Sequence, residues 1–289
     1  YNEKDDSIKL IRDHLGIKPL YYYCANNKFI SSSELKVFKE FIKTTLNSDE
    51  LFNYMRFGFL FGSNTLYKNI LEVEPGQIVE INKSNSKTSK KYFNLSETFT
   101  ESKSFSFEEI EELLRRSIKI HLNSDVPVGL QLSGGLDSSL IAALTVAAKK
   151  KISAFSVHVD HKNVNEKKYQ DYVINLLDLT SYVKNFSQKD FLNENELFRS
   201  LYNYDYPLHH PNILPSDRLN SLAKSKGFSV LLSGDGADEF FGGYNWHLSD
   251  GITPNEIMNN SSFISSNLIN KIFNISKPDY SEISNELNI

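Results

Sequence analysis

The stretch that most constrains this chain is an apolar run over residues 126–132 that ends in Ser133-Gly134-Gly135 and passes straight into a helical pattern. The run reads as a buried strand, and Leu140, Ile141, Leu144 and Ala148 fall on one face of the helix that follows. Glycine lets a backbone approach a ligand closely, and the first N–H groups of a helix have no partner within it. With the positive end of the helix dipole, those donors make an anion site suited to phosphate. Strand, tight polar turn and helix in this order therefore predict an α/β domain that binds a nucleotide.

The turn is not the common phosphate loop, which has a lysine beside the phosphates. Instead Asp137 stands in it. A carboxylate among phosphate donors makes sense if a divalent metal bridges the two, because hard cations prefer oxygen ligands. The alternative is an ordinary helix start with Asp137 or a serine as its cap. The glycine-serine cluster exceeds what capping requires.

Composition narrows the field. The 289 residues can hold one large domain or two modest ones. A net charge of −4 offers no basic field on the scale of nucleic-acid binding. The single cysteine, Cys24, excludes an internal disulfide framework and fits a reducing, cytoplasmic location. No apolar run approaches the length of a membrane span, and the start lacks the basic and apolar regions of a signal peptide. The first residue, Tyr1, points to a processed chain or to part of a longer one.

Residues 1–95 read as mostly β, with strands over 8–11, 20–24, 28–31 and 77–81 separated by turns such as Pro75-Gly76. A short helix opens at Ser33, with Leu35, Phe38 and Ile42 on its buried face, and a second is expected over 49–57. Arg12 and Lys18 could be exposed loop charges, and Asp13 a residue of an Asx-type turn. Residues 82–106 are Ser-, Asn-, Lys- and Thr-rich without sustained period and read as a linker that Tyr92-Phe93 could dock onto a domain. Ser106 with Glu109 forms a capping-box pattern ahead of Ile110, Leu113, Leu114 and Ile118, so a new domain starts there.

That domain alternates strands (126–132, 152–159, 181–186, 228–232) with helices (137–150, around 169–177, 191–202, 214–226). Alternation implies a parallel sheet covered on both faces, with ligands at the carboxyl ends of its strands. The loops after Leu132, Val159 and Leu232 should then share one crevice. The last of these opens a second polar cluster, Ser233-Gly234-Asp235-Gly236-Ala237-Asp238-Glu239. Its three carboxylates within five residues repel one another unless a cation sits among them: Mg²⁺, a lysine or a substrate ammonium. A solvated acidic turn is the plainer alternative. His209 and His210 are adjacent, and no Cys or His partner stands at metal spacing, which favours a structural or substrate-shaping role.

Ser133-Gly134-Gly135-Leu136-Asp137-Ser138-Ser139 resembles the pyrophosphate loop of the ATP pyrophosphatase superfamily. Arg12-Asp13-His14-Leu15-Gly16-Ile17-Lys18-Pro19, Ser32-Ser33-Glu34-Leu35-Lys36 and Leu71-Glu72-Val73-Glu74-Pro75-Gly76 resemble the last third of a glutamine amidotransferase domain. With Leu232-Ser233-Gly234-Asp235-Gly236-Ala237-Asp238-Glu239 and the following Phe240-Phe241-Gly242-Gly243-Tyr244, the whole resembles the glutamine-hydrolysing asparagine synthetases up to about Tyr244. The resemblance implies an α/β protein: part of an Ntn-type, β-rich amidotransferase domain (1–95), a linker (96–106), and a doubly wound parallel-sheet ATP pyrophosphatase domain (107–289).

The implied chemistry is adenylation of the aspartate side-chain carboxylate by ATP, release of pyrophosphate, and attack of glutamine-derived ammonia on the acyl-adenylate. By resemblance, Leu132 and Val157 border adenine and ribose, and Ser133, Gly134, Gly135, Asp137, Ser138 and Ser139 hold the pyrophosphate. Asp137 and Asp238 would ligate Mg²⁺, Ser233 and Gly234 would contact the nucleotide, and Asp13 would hold the glutamine ammonium. Asp235 stands where many relatives have glutamate and Asp238 in the metal and aspartate region, so both are the catalytic candidates. The implied partners are small molecules (ATP, aspartate, glutamine), with neither nucleic acid nor membrane, and a homodimer stays open.

The family nucleophile is an amino-terminal cysteine. Cys24, inside a tyrosine-rich strand, reads as a core residue, so the sequence as it stands is not expected to hydrolyse glutamine. No equivalent is found for the family lysine that meets pyrophosphate. Two other readings stand: a relative amidating another carboxylate, and a non-catalytic nucleotide-binding remnant.

Overall fold

The computed structural model describes residues 1, 3, 6–83, 86–99, 106–160, 166–207 and 212–244. The described residues up to 233 form one compact unit, and residues 234–244 belong to a second.

The first unit opens with two antiparallel sheets. Strands β1 (Ser7–Ile11), β2 (Tyr21–Ala25) and β3 (Lys28–Ser32) are followed by a 3₁₀ turn, Leu35–Glu40, and helix α1 (Ser48–Phe57). Strands β4 (Ile70–Glu72), β5 (Gln77–Asn82) and β6 (Lys87–Lys91) complete the orders β1-β5-β6 and β3-β2-β4. Asn26 and Asn27, both left-handed, join β2 to β3 as a tight hairpin. Alternation along the strands puts Leu10, Val79 and Ile81 of one sheet against Tyr22, Cys24 and Val73 beside the other. The opposite face of β2 turns Tyr21 and Tyr23 toward Leu35, Phe38 and Ile70. Cys24 is buried, as a core residue should be.

Strand β6 corrects the reading of residues 82–106 as linker throughout. All five of its side chains are exposed, so it has no apolar period to read, and its lysines suit an edge strand that must not recruit another. The docking expected of Tyr92-Phe93 is present. The Tyr92 hydroxyl donates to the Arg12 carbonyl (2.6 Å), and His14 meets both rings edge-on.

Helix α2 (Phe107–His121) begins with the expected reciprocal cap: Glu109 N–H donates to Ser106 Oγ (3.2 Å) and Ser106 N–H to Glu109 Oε2 (2.8 Å). Then come β7 (Val128–Gln131), α3 (Leu136–Ala147), β8 (Ser153–Val159), α4 (Lys167–Leu176), β9 (Thr180–Phe186), α5 (Gln188–Phe191), α6 (Glu194–Tyr204), α7 (Ile213–Ser225) and β10 (Val230–Leu232). The single helix expected over 191–202 is split at Asn193, whose side chain caps α6 by accepting from Glu196 N–H.

The four strands are parallel in the order β10-β7-β8-β9. Leu130, Leu132 and Ala154 pack on Ala142 of α3 and Val173 of α4, while Phe155 packs on Leu219 and Ala223 of α7. The sheet is thus covered on both faces, as its apolar strands require. Helix α3 buries Ser138, Ala142, Leu144 and Thr145. Of the face expected from the sequence, Leu144 is buried and Ile141 packs on the core, while Leu140 and Ala148 are exposed and the small Ser138, Ala142 and Thr145 also turn inward. Among the described residues no helix is long and apolar enough to cross a membrane.

Candidate nucleotide site

Strand order positions the site. From β7 the chain moves one way through β8 to β9, then returns to place β10 on the other side of β7. Between β7 and β10 the winding reverses, and ligands of open parallel sheets bind outside the strand carboxyl ends at such a point. The Ser133-Gly134-Gly135 turn leaves β7 there, and Ser233, half-buried, follows β10.

The turn is held from within. Gly135 N–H donates to Ser133 Oγ (3.2 Å), Ser133 Oγ meets Ser138 Oγ (3.0 Å), and the hydroxyls of Ser138 and Ser139 donate to the Gly135 carbonyl (3.3 and 2.6 Å). Ser138 is buried and belongs to this scaffold, whereas Ser133, Asp137 and Ser139 are half-exposed. Gly134 has φ +87°, and a Cβ there would lie 2.7 Å from the Gln170 backbone nitrogen in α4. Gly135 is the N-cap of α3 and no side chain among the described residues caps that start, so the first-turn donors of α3 are open to an anion.

The two residues expected at the adenine and ribose differ in place. The Leu132 side chain is 1% exposed in the core, its N–H donates to the Phe155 carbonyl (2.9 Å) and its carbonyl accepts from Ser156 Oγ (2.8 Å). Leu132 is therefore a core residue as a whole, with both backbone groups bonded within the protein. Val157 is half-buried, and its carbonyl accepts from Gln170 Nε2 (3.5 Å). Gln170 and His158 belong to no motif legible in the sequence. Gln170 is 3% exposed, and its Oε1 and His158 Nε2 are both buried, with no well-formed hydrogen bond to either among the described residues. Burial and the Lys167 ammonium hold the His158 imidazole below its usual range, hence neutral near pH 7. The available signal was one polar residue at an inward helical position, three before Val173.

Asp13 lies in the β-rich part. Its carboxylate accepts N–H bonds from Leu15 (3.2 Å), Ile17 (2.9 Å) and Lys18 (3.0 Å). Burial pushes its carboxyl up, but the N–H groups of Lys18, Ile17, Leu15 and Gly16 outweigh that and hold it below the usual range. Arg12 is not an exposed loop charge: it is buried, paired with Glu72, and donates to the carbonyls of Gly16 (3.0 Å), Lys18 (3.0 Å) and Val73 (2.7 Å).

Gly234, Asp235 and Asp238 belong to the second unit. Left-handed Gly236 and Gly242 bracket a short helix, α8 (Ala237–Phe241). Asp235 and Glu239 are exposed and Asp238 half-buried. The Asp238 carbonyl accepts from Gly242 and Gly243 N–H (3.0 and 3.1 Å), and a Cβ on Gly243 would fall 1.7 Å from Asp238 Oδ1. The glycine is there because the carboxylate lies over it. Tyr244 donates to Glu239 (2.8 Å). Among the described residues no three His, Cys, Asp or Glu side chains are grouped to hold a metal. Leu208, His209, His210 and Pro211 lie outside the described residues, as do the short helices expected around Ile257, Phe263, Leu268, Ile272 and Phe273.

A β-rich part followed by a doubly wound parallel sheet, with a serine-glycine turn where the winding reverses, defines the class: an α/β protein built around a phosphate-type loop. The sequence profile of the asparagine synthase family matches residues 109–272, and that of a glutamine amidotransferase domain matches residues 1–93. The chain belongs to the asparagine synthase family. The glutamine-hydrolyzing asparagine synthetase 1 of Bacillus subtilis is 34% identical over 250 residues, 85% of this chain and 39% of its own length. A putative glutamine-hydrolyzing asparagine synthetase 2 of Methanocaldococcus jannaschii is 34% identical over 259 residues, 86% of this chain and 49% of its own. The chain thus spans half or less of these relatives.

Proposed function

We propose that the full-length protein amidates aspartate to asparagine with ATP, using ammonia released from glutamine. A carboxylate is a poor electrophile. Attack of its oxygen on the α-phosphorus of ATP expels pyrophosphate and gives a β-aspartyl-adenylate. Ammonia then attacks the acyl carbon, AMP leaves with the electron pair of the broken C–O bond, and the excess proton passes to a nearby base.

In this scheme the open N–H groups in the first turn of α3, with the Ser133 and Ser139 hydroxyls once these turn from Gly135 to the ligand, stabilise charge gathering on the leaving pyrophosphate. Gly134 and Ser138 keep that turn in shape. Ser233 and Gly234 contact the nucleotide, and Leu132 and Val157 stand beside adenine and ribose. Asp235 and Asp238 act at the aspartate and the adenylate, and Asp13 holds the glutamine ammonium.

The residues present fit Mg²⁺ arriving with ATP. Asp137, half-exposed in the first turn of α3, would hold it, and the family resemblance names Asp238 as a further candidate ligand. Bound there, the ion neutralises phosphate charge.

The observation that carries this reading is the self-braced Ser133–Ser139 turn at the point where the sheet reverses its winding. The test is ATP–pyrophosphate exchange by the full-length protein. Exchange that requires both Mg²⁺ and aspartate supports the proposal. Exchange only with a different carboxylic acid, or nucleotide binding without exchange, overturns it.

A further inference from the structure

Asp205 ends α6 in the left-handed conformation (φ +65°), where glycine would sit without strain. What the acid offers in place of glycine is a side chain, and that side chain reaches into the β-rich part. One carboxylate oxygen accepts from Leu35 N–H (2.8 Å) and the other from Lys36 N–H (3.0 Å), the first two residues of the 3₁₀ turn. The Lys36 ammonium stands 3.6 Å away, and the Asp205 side chain is only 10% exposed. Bonds from backbone N–H to a largely buried carboxylate are among the stronger ones a protein makes.

The two residues that follow extend the grip. Tyr206 packs into the cluster of Tyr21, Leu35, Phe38 and Ile70 and stacks on Tyr54 (5.7 Å between centroids). The Tyr54 hydroxyl donates to the Pro207 carbonyl (2.9 Å), and the Lys36 and Lys39 ammonium groups lie over the Tyr202 ring. On one side of this joint, the 3₁₀ turn continues from β3, which pairs with β2, the strand following the Asp13 loop. On the other, the chain goes on to α7 under the Phe155 face of the sheet, and then to β10 beside the Ser133 turn. The joint thus stands between the strand that follows the Asp13 loop and the helix that packs on the Phe155 face of the sheet.

We infer that Asp205 is a positioning residue: its carboxylate latches the two parts in the arrangement that lets ammonia made on the Asp13 side reach the adenylate. The inference rests on the function proposed above. Neither half-reaction needs the latch; their coupling does.

The test compares full-length wild type with Asp205→Gly, which keeps the left-handed helix end but removes the carboxylate. Glutaminase activity and amidation fed by ammonium chloride should stay within about twofold, because the carboxylate is taken up by the Leu35 and Lys36 N–H groups. Glutamine-fed amidation should fall by about tenfold or more, with a matching rise in glutamate released per amide formed. Asp205→Asn, which offers one acceptor and one clashing donor, should fall in between. Parallel loss of ammonium-fed and glutamine-fed amidation, or no loss of either, overturns the latch. If wild type amidates with neither nitrogen source, the proposed function fails instead. Amide exchange then decides the latch. Loss of protection at Leu35 and Lys36 by about tenfold or more in Asp205→Gly supports it, and unchanged protection overturns it.

Discussion

Replacing Gly134 by alanine tests how the candidate loop is built. At φ +87° an L-residue costs roughly 1–2 kcal/mol more than glycine. The added methyl would also lie 2.7 Å from the Gln170 backbone nitrogen and 3.0 Å from the carbonyl carbon and Cβ of Tyr169. Those backbone atoms sit in α4 and cannot swing aside as a long side chain would, so the overpacking cost is about 1–3 kcal/mol. Local and tertiary strain of the one methyl together total about 2–5 kcal/mol.

Gly135→Ala is the internal control. Its φ is −70°, and its added methyl would meet only Ser133 Oγ at 3.3 Å, so its cost should stay below about 1 kcal/mol. Urea unfolding of this chain followed by circular dichroism gives both numbers. If the loop yields locally instead of lowering global stability, the loss appears as weaker ATP binding by Gly134→Ala at unchanged midpoint. Equal midpoints together with equal ATP affinity for the two variants would refute the close packing of Gly134 on α4.

Three further outcomes follow from the same geometry. Ser187, through its N–H and then its hydroxyl, and against burial, together with Arg218, holds the Asp190 carboxyl down at about 2. A depressed folded value means stability present above pH ~4 and lost as pH falls toward 2, at most about 2 kcal/mol. Asp190→Asn should flatten that part of an acid-unfolding curve. Phe155, fully buried between Tyr182 and Phe228, should cost about 3–5 kcal/mol when cut to alanine, read from denaturant midpoints. Asp137→Asn should leave the unfolding midpoint within about 0.5 kcal/mol, since the side chain is half-exposed, while removing the Mg²⁺ dependence of ATP binding by titration calorimetry.

What the sequence disclosed depended on whether a residue's job was periodic or local. The parallel sheet was legible because β7, β8 and β10 are apolar runs bounded by polar turns, and the capping box because Ser106 and Glu109 satisfy each other three residues apart. The Ser133–Ser139 turn was legible because glycines and hydroxyls in that density have few other uses. Strand β6 was hidden, since pairing with β5 is a property of backbone and its side chains touch only solvent. Arg12 was hidden for the opposite reason. Its charge marks it for the surface, and burial is made possible by the convergence of Glu72 and the Val73 carbonyl, both distant in sequence, with the Gly16 and Lys18 carbonyls of its own loop. The partners of Asp205 stand 170 and 169 positions away, beyond any local pattern.

Both candidate loops solve one physical problem by related means. A loop that must present open polar groups cannot be packed from the ligand side, so it has to be braced from behind. In the Ser133 turn the brace is a hydroxyl chain running from Ser133 through Ser138 to the Gly135 carbonyl. In the Asp13 loop it is the Arg12 guanidinium, which gathers the Gly16 and Lys18 carbonyls from within the protein while Asp13 gathers the N–H groups of the same loop. Bracing of this kind lowers the ordering cost of binding, because the loop is already in shape when its ligand arrives. It also places the weak point away from the exposed residues. Removing Ser138 or Arg12, neither of which needs to touch a ligand, should therefore disturb binding as much as removing the groups that do.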